Sequence, residues 1–508
     1  MNHTSYLEKL TDRLLSQLSE KKLVILSALV SGLMAYLFCF VNKLETMDDL
    51  AGMYGQAATL SSGRWGLDLL TYFTPNFSLP WLNGILSLLL IILALCFVTD
   101  LFEIRSKVLQ IVLPSVMIVF PSQVCTYGYM FTTVQYAVAL LSAVCGAYVL
   151  ARKKTWGGMI LSAVLFIFTM SIYQPFIAAA ASYLVVYVIF LVLKNEKTSR
   201  DILRTGISFI CVLAASMIVY YGITAVLQRI QGVEMNEYGK NSLSGISELM
   251  FGLRVAYTSF FGYFLKGYYD LVPTVFSRIL HAGIAAVILF LLVLHLLSAE
   301  DKGENRKKLL IVLVCLLILP PAVNCIRIIT TMTHNLMLFS VTSVYVLAAA
   351  VIQHASVPKE KFAGILKDFA SLGMALIVGI NILFANGVYF KMYMQEKQAE
   401  SFYTGVISAL MQENNFKKDS PVAFVGSNDV LFPIPMVNTD NLVGIREGIV
   451  GTYSQEEFLR TFLGVRLNIC DDDITNSLKA DERVVSMPSY PYYGCVQELD
   501  GVFVVKLG

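Results

Sequence analysis

Eleven apolar stretches, each long enough to cross a bilayer, occupy the first 390 of 508 residues. They lie at 23–41, 82–99, 108–124, 131–151, 156–172, 175–193, 205–227, 272–297, 309–330, 335–354 and 369–390. A helix rising 1.5 Å per residue needs about 20 apolar residues to cross a hydrocarbon core of roughly 30 Å. The pattern predicts an α-helical polytopic membrane protein. The short link at Tyr173-Gln174-Pro175 folds the fifth and sixth stretches into a tight hairpin. Pro320-Pro321 should interrupt backbone hydrogen bonding in the ninth, as a packing kink or as an opening for a ligand beside Asn324 and Arg327.

Two connecting loops are long, 42–81 and 228–271. In the second, Leu249, Leu253, Tyr257, Phe260 and Phe264 recur at helical spacing beside Arg254 and Lys266, which predicts a helix lying in the membrane interface. The aromatic crowd there, which also includes Phe261, Tyr263, Tyr268 and Tyr269, reads as an interfacial belt or as a surface for sugar rings. The first loop should hold short helices near 50–60 and 67–73. From 391 the composition turns polar. Strands are expected at Pro421–Gly426, Arg483–Met487 and Val502–Leu507, with Ser454-Gln455-Glu456-Glu457 as a capping box opening a helix to Leu463. The layout is a cytoplasmic amphipathic segment (1–22), a transmembrane domain (23–390) and a small C-terminal extracytoplasmic α/β domain (391–508).

Composition agrees: 56% of residues are hydrophobic and 15% charged, against about 25% charged in soluble domains. A net charge of +2 gives no reason to expect a nucleic-acid partner. Lys and Arg number 20 in the loops of one side and 6 in those of the other, so the amino terminus is expected in the cytoplasm and the carboxyl terminus outside. The polar opening segment lacks the form of a cleaved signal. Of nine cysteines, only Cys470 and Cys495 are candidates for a disulfide. There is no Walker A sequence, Rossmann fingerprint, H-E-x-x-H or paired C-x-x-C.

Candidate chemistry gathers on the outer side. Asp48-Asp49 follows the first span, in a loop that continues to Gly63-Arg64-Trp65-Gly66. The pair is either a solvated helix start or a general base at the lipid boundary; a carboxylate can deprotonate a hydroxyl, and a guanidinium can clamp a phosphate. Topology adds Tyr173 and Gln174, Arg278 and His281, Asn324 and Arg327, and His334 and Asn335 at outer helix ends. An arginine there either binds ligand or snorkels, and each histidine is either structural or part of a site. Two adjacent aspartates supply too few ligands for a metal centre by themselves, so none is assigned and a divalent ion is left open.

The order of these motifs resembles the bacterial Gtr type II glucosyltransferase family, of GT-C architecture. The matching elements are Asp48-Asp49, Gly63-Arg64-Trp65, Tyr173-Gln174-Pro175, Pro321-Ala322-Val323-Asn324, His334-Asn335-Leu336-Met337 and Ala385-Asn386-Gly387-Val388-Tyr389. The resemblance implies a polyprenyl-phosphate-linked hexose donor, a cell-surface or lipid-linked glycan acceptor, and inversion at the anomeric carbon. It implies a bacterial plasma membrane, with a donor-synthesising glycosyltransferase and a flippase as upstream partners. Carried over, Asp48 or Asp49 is the base, Arg64, Arg278 and Arg327 meet the donor phosphate, and Trp65, Tyr173, Gln174, His281, Asn324, His334 and Asn335 contact substrate. A transporter and a glycan polymerase or ligase remain as alternatives; a transporter should carry polar residues near the midplane, whereas these sit at one face.

Overall fold

The computed structural model describes residues 16, 18–54, 59–74, 77–236, 245–267, 271–298, 302–329, 333–357, 360–427, 433–446, 448–451 and 453–508. Tyr268, Tyr269 and most of the amino-terminal segment lie outside them.

Helix covers most of every predicted apolar stretch. Among the described residues, seven helical segments are long and apolar enough to cross a membrane, counting Trp156–Lys194 as one segment although it folds back at Tyr173–Phe176. The Lys22–Val41 helix shows why lipid suits this bundle. Ala28, Ala35, Tyr36 and Cys39 are buried, while the opposite face exposes Leu26, Val30, Met34, Leu37 and Val41. A helix apolar on every side is a membrane helix or a core helix, and among the described residues none covers this outward face. Small residues let helices approach: a side chain at Gly84 would strike the Phe40 ring, and one at Gly146 the Phe166 ring.

Two predicted stretches are interrupted. The third divides at Val119–Phe120 into Lys107–Ile118 and Pro121–Thr126, and the Tyr36 hydroxyl donates to the freed Ile118 carbonyl at 2.8 Å. The ninth runs through Pro320 and Pro321 as the helix Lys302–Val323 and breaks only at Asn324, before Cys325–Ile329. Pro321 has no N–H for the Leu317 carbonyl, and the Tyr257 hydroxyl supplies that bond at 2.6 Å. Asn324 then pins the break: its amide donates to the Ala256 and Pro320 carbonyls and its oxygen accepts from Tyr263. The loop helix that provides these tyrosines, Ile246–Leu265, lies where the spacing predicts it.

The helix Glu360–Met411 is 52 residues long and passes without a break through Lys391, where the composition changes. Beyond it is a four-stranded sheet of β1 (Pro421–Val425), β2 (Asn468–Ile469), β3 (Val496–Leu499) and β4 (Val502–Lys506), in the order β2-β1-β4-β3. β1 pairs parallel to β2 and β4, and β3 and β4 form a hairpin across Asp500-Gly501, both at positive φ as a tight two-residue turn requires. Residues 482–486 are a helix rather than the expected strand: Asp481 accepts from the Arg483 amide and from its guanidinium, starting a helix despite the valines. The expected capping box also does not form. Ser454 precedes the helix Gln455–Thr461, but its hydroxyl accepts from Gly451 and donates to Ile449. Cys470 and Cys495 are both free.

Leu50 and Met53 of the first loop share one apolar core with Phe402, Val406, Val422, Phe424 and Phe458. Leu442 and Ile445 pack into the helix-bundle core. The C-terminal sheet is thus seated on the end of the bundle that carries the first loop. At the other end, ion pairs join the short links: Lys21 with Asp100 at 2.8 Å, Arg152 with Glu103 at 3.2 Å and Lys194 with Glu103 at 3.1 Å. These hold Asp100 and Glu103 below the ordinary carboxylate range against the opposing effect of burial.

Candidate active site

Asp48 and Asp49 sit on one short helix, Met47–Ala51, and face different surroundings. The helix is capped by Thr46, whose side chain accepts from the Asp49 amide and donates to the Gly128 carbonyl at 2.8 Å. Asp49 is fully buried. One carboxylate oxygen accepts from Ser78 Oγ at 2.7 Å, the other from the Phe131 backbone N–H at 2.8 Å. Lys43 Nζ lies 3.6 Å away and also pairs with buried Glu45. Burial pushes the Asp49 carboxyl up, opposed by Lys43 and the two donors, and the same burial pushes Lys43 down. Asp48 is exposed, and its Oδ1 accepts from the Tyr453 hydroxyl at 2.8 Å.

The second half of the loop rests on the bundle. Gly63 has φ +72°, and the Tyr220 hydroxyl occupies the space a side chain would need, so both backbone and packing call for glycine. Tyr220 donates to the Gly63 carbonyl at 2.9 Å, and the Gln174 amide donates to the Ser62 carbonyl at 2.7 Å and to Tyr220 at 2.9 Å. Arg64 lies 5.1 Å from the Tyr173 ring centre and donates to the Tyr136 hydroxyl at 3.3 Å; Tyr136 and Tyr173 stack at 4.1 Å. The Trp65 indole N–H donates to Thr224 Oγ1 at 3.2 Å. Arg64, Trp65, Tyr173 and Gln174 are therefore one assembly, with Tyr173 buried beneath the arginine.

The other expected residues are spread along the same end. His281 is buried with both ring nitrogens engaged, by the Ser277 carbonyl at 2.6 Å and the Tyr345 hydroxyl at 2.5 Å. Asn324 and Arg327 are buried at the break in the ninth stretch, where the Arg327 amide donates to the Asn324 carbonyl. The Arg278 guanidinium lies against Gly267. Asn335 is buried in a turn packed on Pro121–Thr126, and His334 precedes it. Among the described residues, the only ion pair of Asp49 is with Lys43. Lys43, Glu45, Ser78, Tyr136, Tyr220 and Tyr453 extend the site beyond the sequence expectation. Lys43 and Glu45 had a signal, being charges in the same loop; Tyr453, 405 positions from Asp48, had none. Among the described residues, no group of three His, Cys, Asp or Glu side chains is placed to hold a metal ion.

Among curated proteins and solved structures nothing matches the chain. A family model does: "Glucosyl transferase GtrII" matches residues 37–353, from the end of the first helix, through both aspartates and the Arg64 assembly, to the Ser343–His354 helix. That match spans more than half of the sequence, and the chain belongs to the GtrII glucosyltransferase family.

Proposed function

We propose that this glycosyltransferase moves a hexose, glucose by family, from a polyprenyl-phosphate-linked donor to a cell-surface or lipid-linked glycan on the outer face of a bacterial plasma membrane, with inversion. A donor-synthesising glycosyltransferase and a flippase would supply the donor. The observation that carries the mechanism is the contrast between the two aspartates. Asp49 is buried with both oxygens occupied, which suits a residue that fixes the short helix. Asp48 is exposed on that helix and suits a general base.

In this reading, Asp48 takes the proton of the acceptor hydroxyl as its oxygen attacks the anomeric carbon from the face opposite the phosphate. The bond from the anomeric carbon to the phosphate oxygen breaks, and polyprenyl phosphate leaves as an anion. Cations that stabilise the charge make protonation of this leaving group unnecessary. Arg64, Arg278 and Arg327 are the candidates, and Arg64 is best prepared because the Tyr173 ring and Tyr136 hydroxyl fix its plane. Tyr173 and Gln174 then serve by holding Arg64 and the Gly63 turn; His281 and Asn324 brace the neighbouring helices.

Membranes bearing the wild-type protein, supplied with radiolabelled polyprenyl-phosphate glucose, should pass label to glycan. Movement of intact donor across the membrane without transfer would favour a transporter. Joining of preassembled glycan blocks would favour a polymerase or ligase.

A further inference from the structure

At the bundle end opposite Asp48, three cationic side chains converge. Lys154 follows the Thr133–Arg152 helix, Lys197 lies in the link before Ser199–Gln231, and Arg204 is in the second turn of that helix. Together they line a cavity of 410 Å³. Two carboxylates stand at this cavity, Asp201 in its wall and Glu196 beside it, and both are already engaged. Asp201 accepts from the Thr198 hydroxyl at 2.8 Å and lies 3.9 Å from Arg204, and Glu196 pairs with Lys194 at 3.0 Å. Lys154 and Lys197 are close enough to oppose each other's charge, and Lys197 is brought down to about 8 by burial and by Lys154. Like charges held at one cavity repel unless an anion lies between them. Thr205 and Ser208 also line it, and its apolar part is Leu150, Met159 and Phe209, from the helices Thr133–Arg152, Trp156–Tyr173 and Ser199–Gln231. A free anion would satisfy only the cationic half of this cavity.

We propose that the cavity lined by Lys154, Lys197 and Arg204 binds the phosphodiester headgroup of an anionic glycerophospholipid, whose glycerol and upper acyl carbons lie on Leu150, Met159 and Phe209. This site is separate from glycosyl transfer, and its occupant is a structural lipid that joins the ends of these three helices.

The purified, delipidated full chain in neutral detergent is titrated with phosphatidylglycerol, phosphatidylcholine and inorganic phosphate, reading bound lipid by native mass spectrometry and thermal stability in parallel. Wild-type protein should bind phosphatidylglycerol saturably and gain stability, and K154Q/K197Q/R204Q should bind it about 100-fold more weakly, each cation near a lipid surface contributing about fivefold. K107Q/K361Q, a charge control at the same end, should behave as wild type. If the triple variant does not fold, K197Q and R204Q alone should each lose about fivefold. Equal phosphatidylglycerol binding by wild type and the variants overturns the proposal. So does equal stabilisation by phosphatidylcholine, or a full effect from inorganic phosphate alone.

Discussion

Tyr453 donates its hydroxyl hydrogen to Asp48 Oδ1 across 2.8 Å, so a residue of the C-terminal sheet region touches the exposed carboxylate of the first loop. The contact crosses from outside the matched segment, residues 37–353, to inside it. It is supported by packing, because Leu50 and Met53 share a core with Phe402 and Phe458 and thereby fix the helix bearing Asp48 against that region. The C-terminal region is thus part of the setting of the proposed base.

Tyr453→Phe keeps the ring and removes the donor. A hydrogen bond to a charged group contributes about 1.5–3 kcal/mol, and less where exposed, so kcat/KM should fall about three- to tenfold with the protein level unchanged. The fall should appear in kcat rather than in donor KM. Steady-state kinetics with a labelled donor will read it; unchanged constants would make Tyr453 a surface contact only.

Arg64→Lys preserves charge but loses the planar group lying beside Tyr173. Donor KM should rise about 5- to 30-fold, on the scale of a cation–π contact and one hydrogen bond. A variant with wild-type donor KM would take Arg64 out of phosphate binding.

Glu396 gives a pH prediction. It is buried beyond the last predicted span, and burial together with Glu400 raises it to about 7, against the opposing effect of Lys397 and Lys43. A carboxyl raised on folding contributes stability that is fully present below its unfolded value of 4.5 and is lost as pH rises through about 7. Wild type should therefore lose stability between pH 4.5 and 7 relative to Glu396→Gln, by about 1–3 kcal/mol. Thermal unfolding at pH 5 and pH 8 checks the sign, and parallel curves for both proteins would refute it.

The 20 to 6 distribution of Lys and Arg predicts that the carboxyl-terminal region lies outside. A cysteine introduced at exposed Asn414, with Cys470 replaced, should react with a membrane-impermeant thiol reagent in intact cells. Reaction only after lysis would reverse the orientation.

Much of this fold was legible because period and hydrophobicity are local properties. The Ile246–Leu265 helix could be read from Leu249, Leu253, Tyr257, Phe260 and Phe264, since one apolar face is enough to specify it. The hydrogen-bond interruption at Pro320-Pro321 could be read from the prolines, but not that the helix continues to Val323, because Tyr257, from a distant loop, satisfies the Leu317 carbonyl. Arg483–Met487 was misread because Val484 and Val485 favour strands, whereas the Asp481 cap selected helix. The hairpin partner of β4 was missed although Asp500-Gly501 marks its turn. In the site, Asp48-Asp49 and Arg64 stood out by residue type. Their division of labour was not legible, because burial of one neighbour and exposure of the other depend on Ser78, Phe131 and Tyr453, brought in by folding.

The central claim is that Asp48 performs proton transfer while Asp49 maintains the loop, and single-turnover rate measured beside folded-protein yield for Asp48→Asn and Asp49→Asn tests it most directly. Asp48→Asn should retain wild-type yield and donor binding and lose about 10²- to 10⁴-fold in rate. Asp49→Asn should lose yield and thermal stability, by about 1–3 kcal/mol, because an amide nitrogen in place of one carboxylate oxygen leaves Ser78 Oγ or the Phe131 N–H without its buried acceptor. Near-native turnover in Asp48→Asn, or full yield with abolished turnover in Asp49→Asn, would contradict the account.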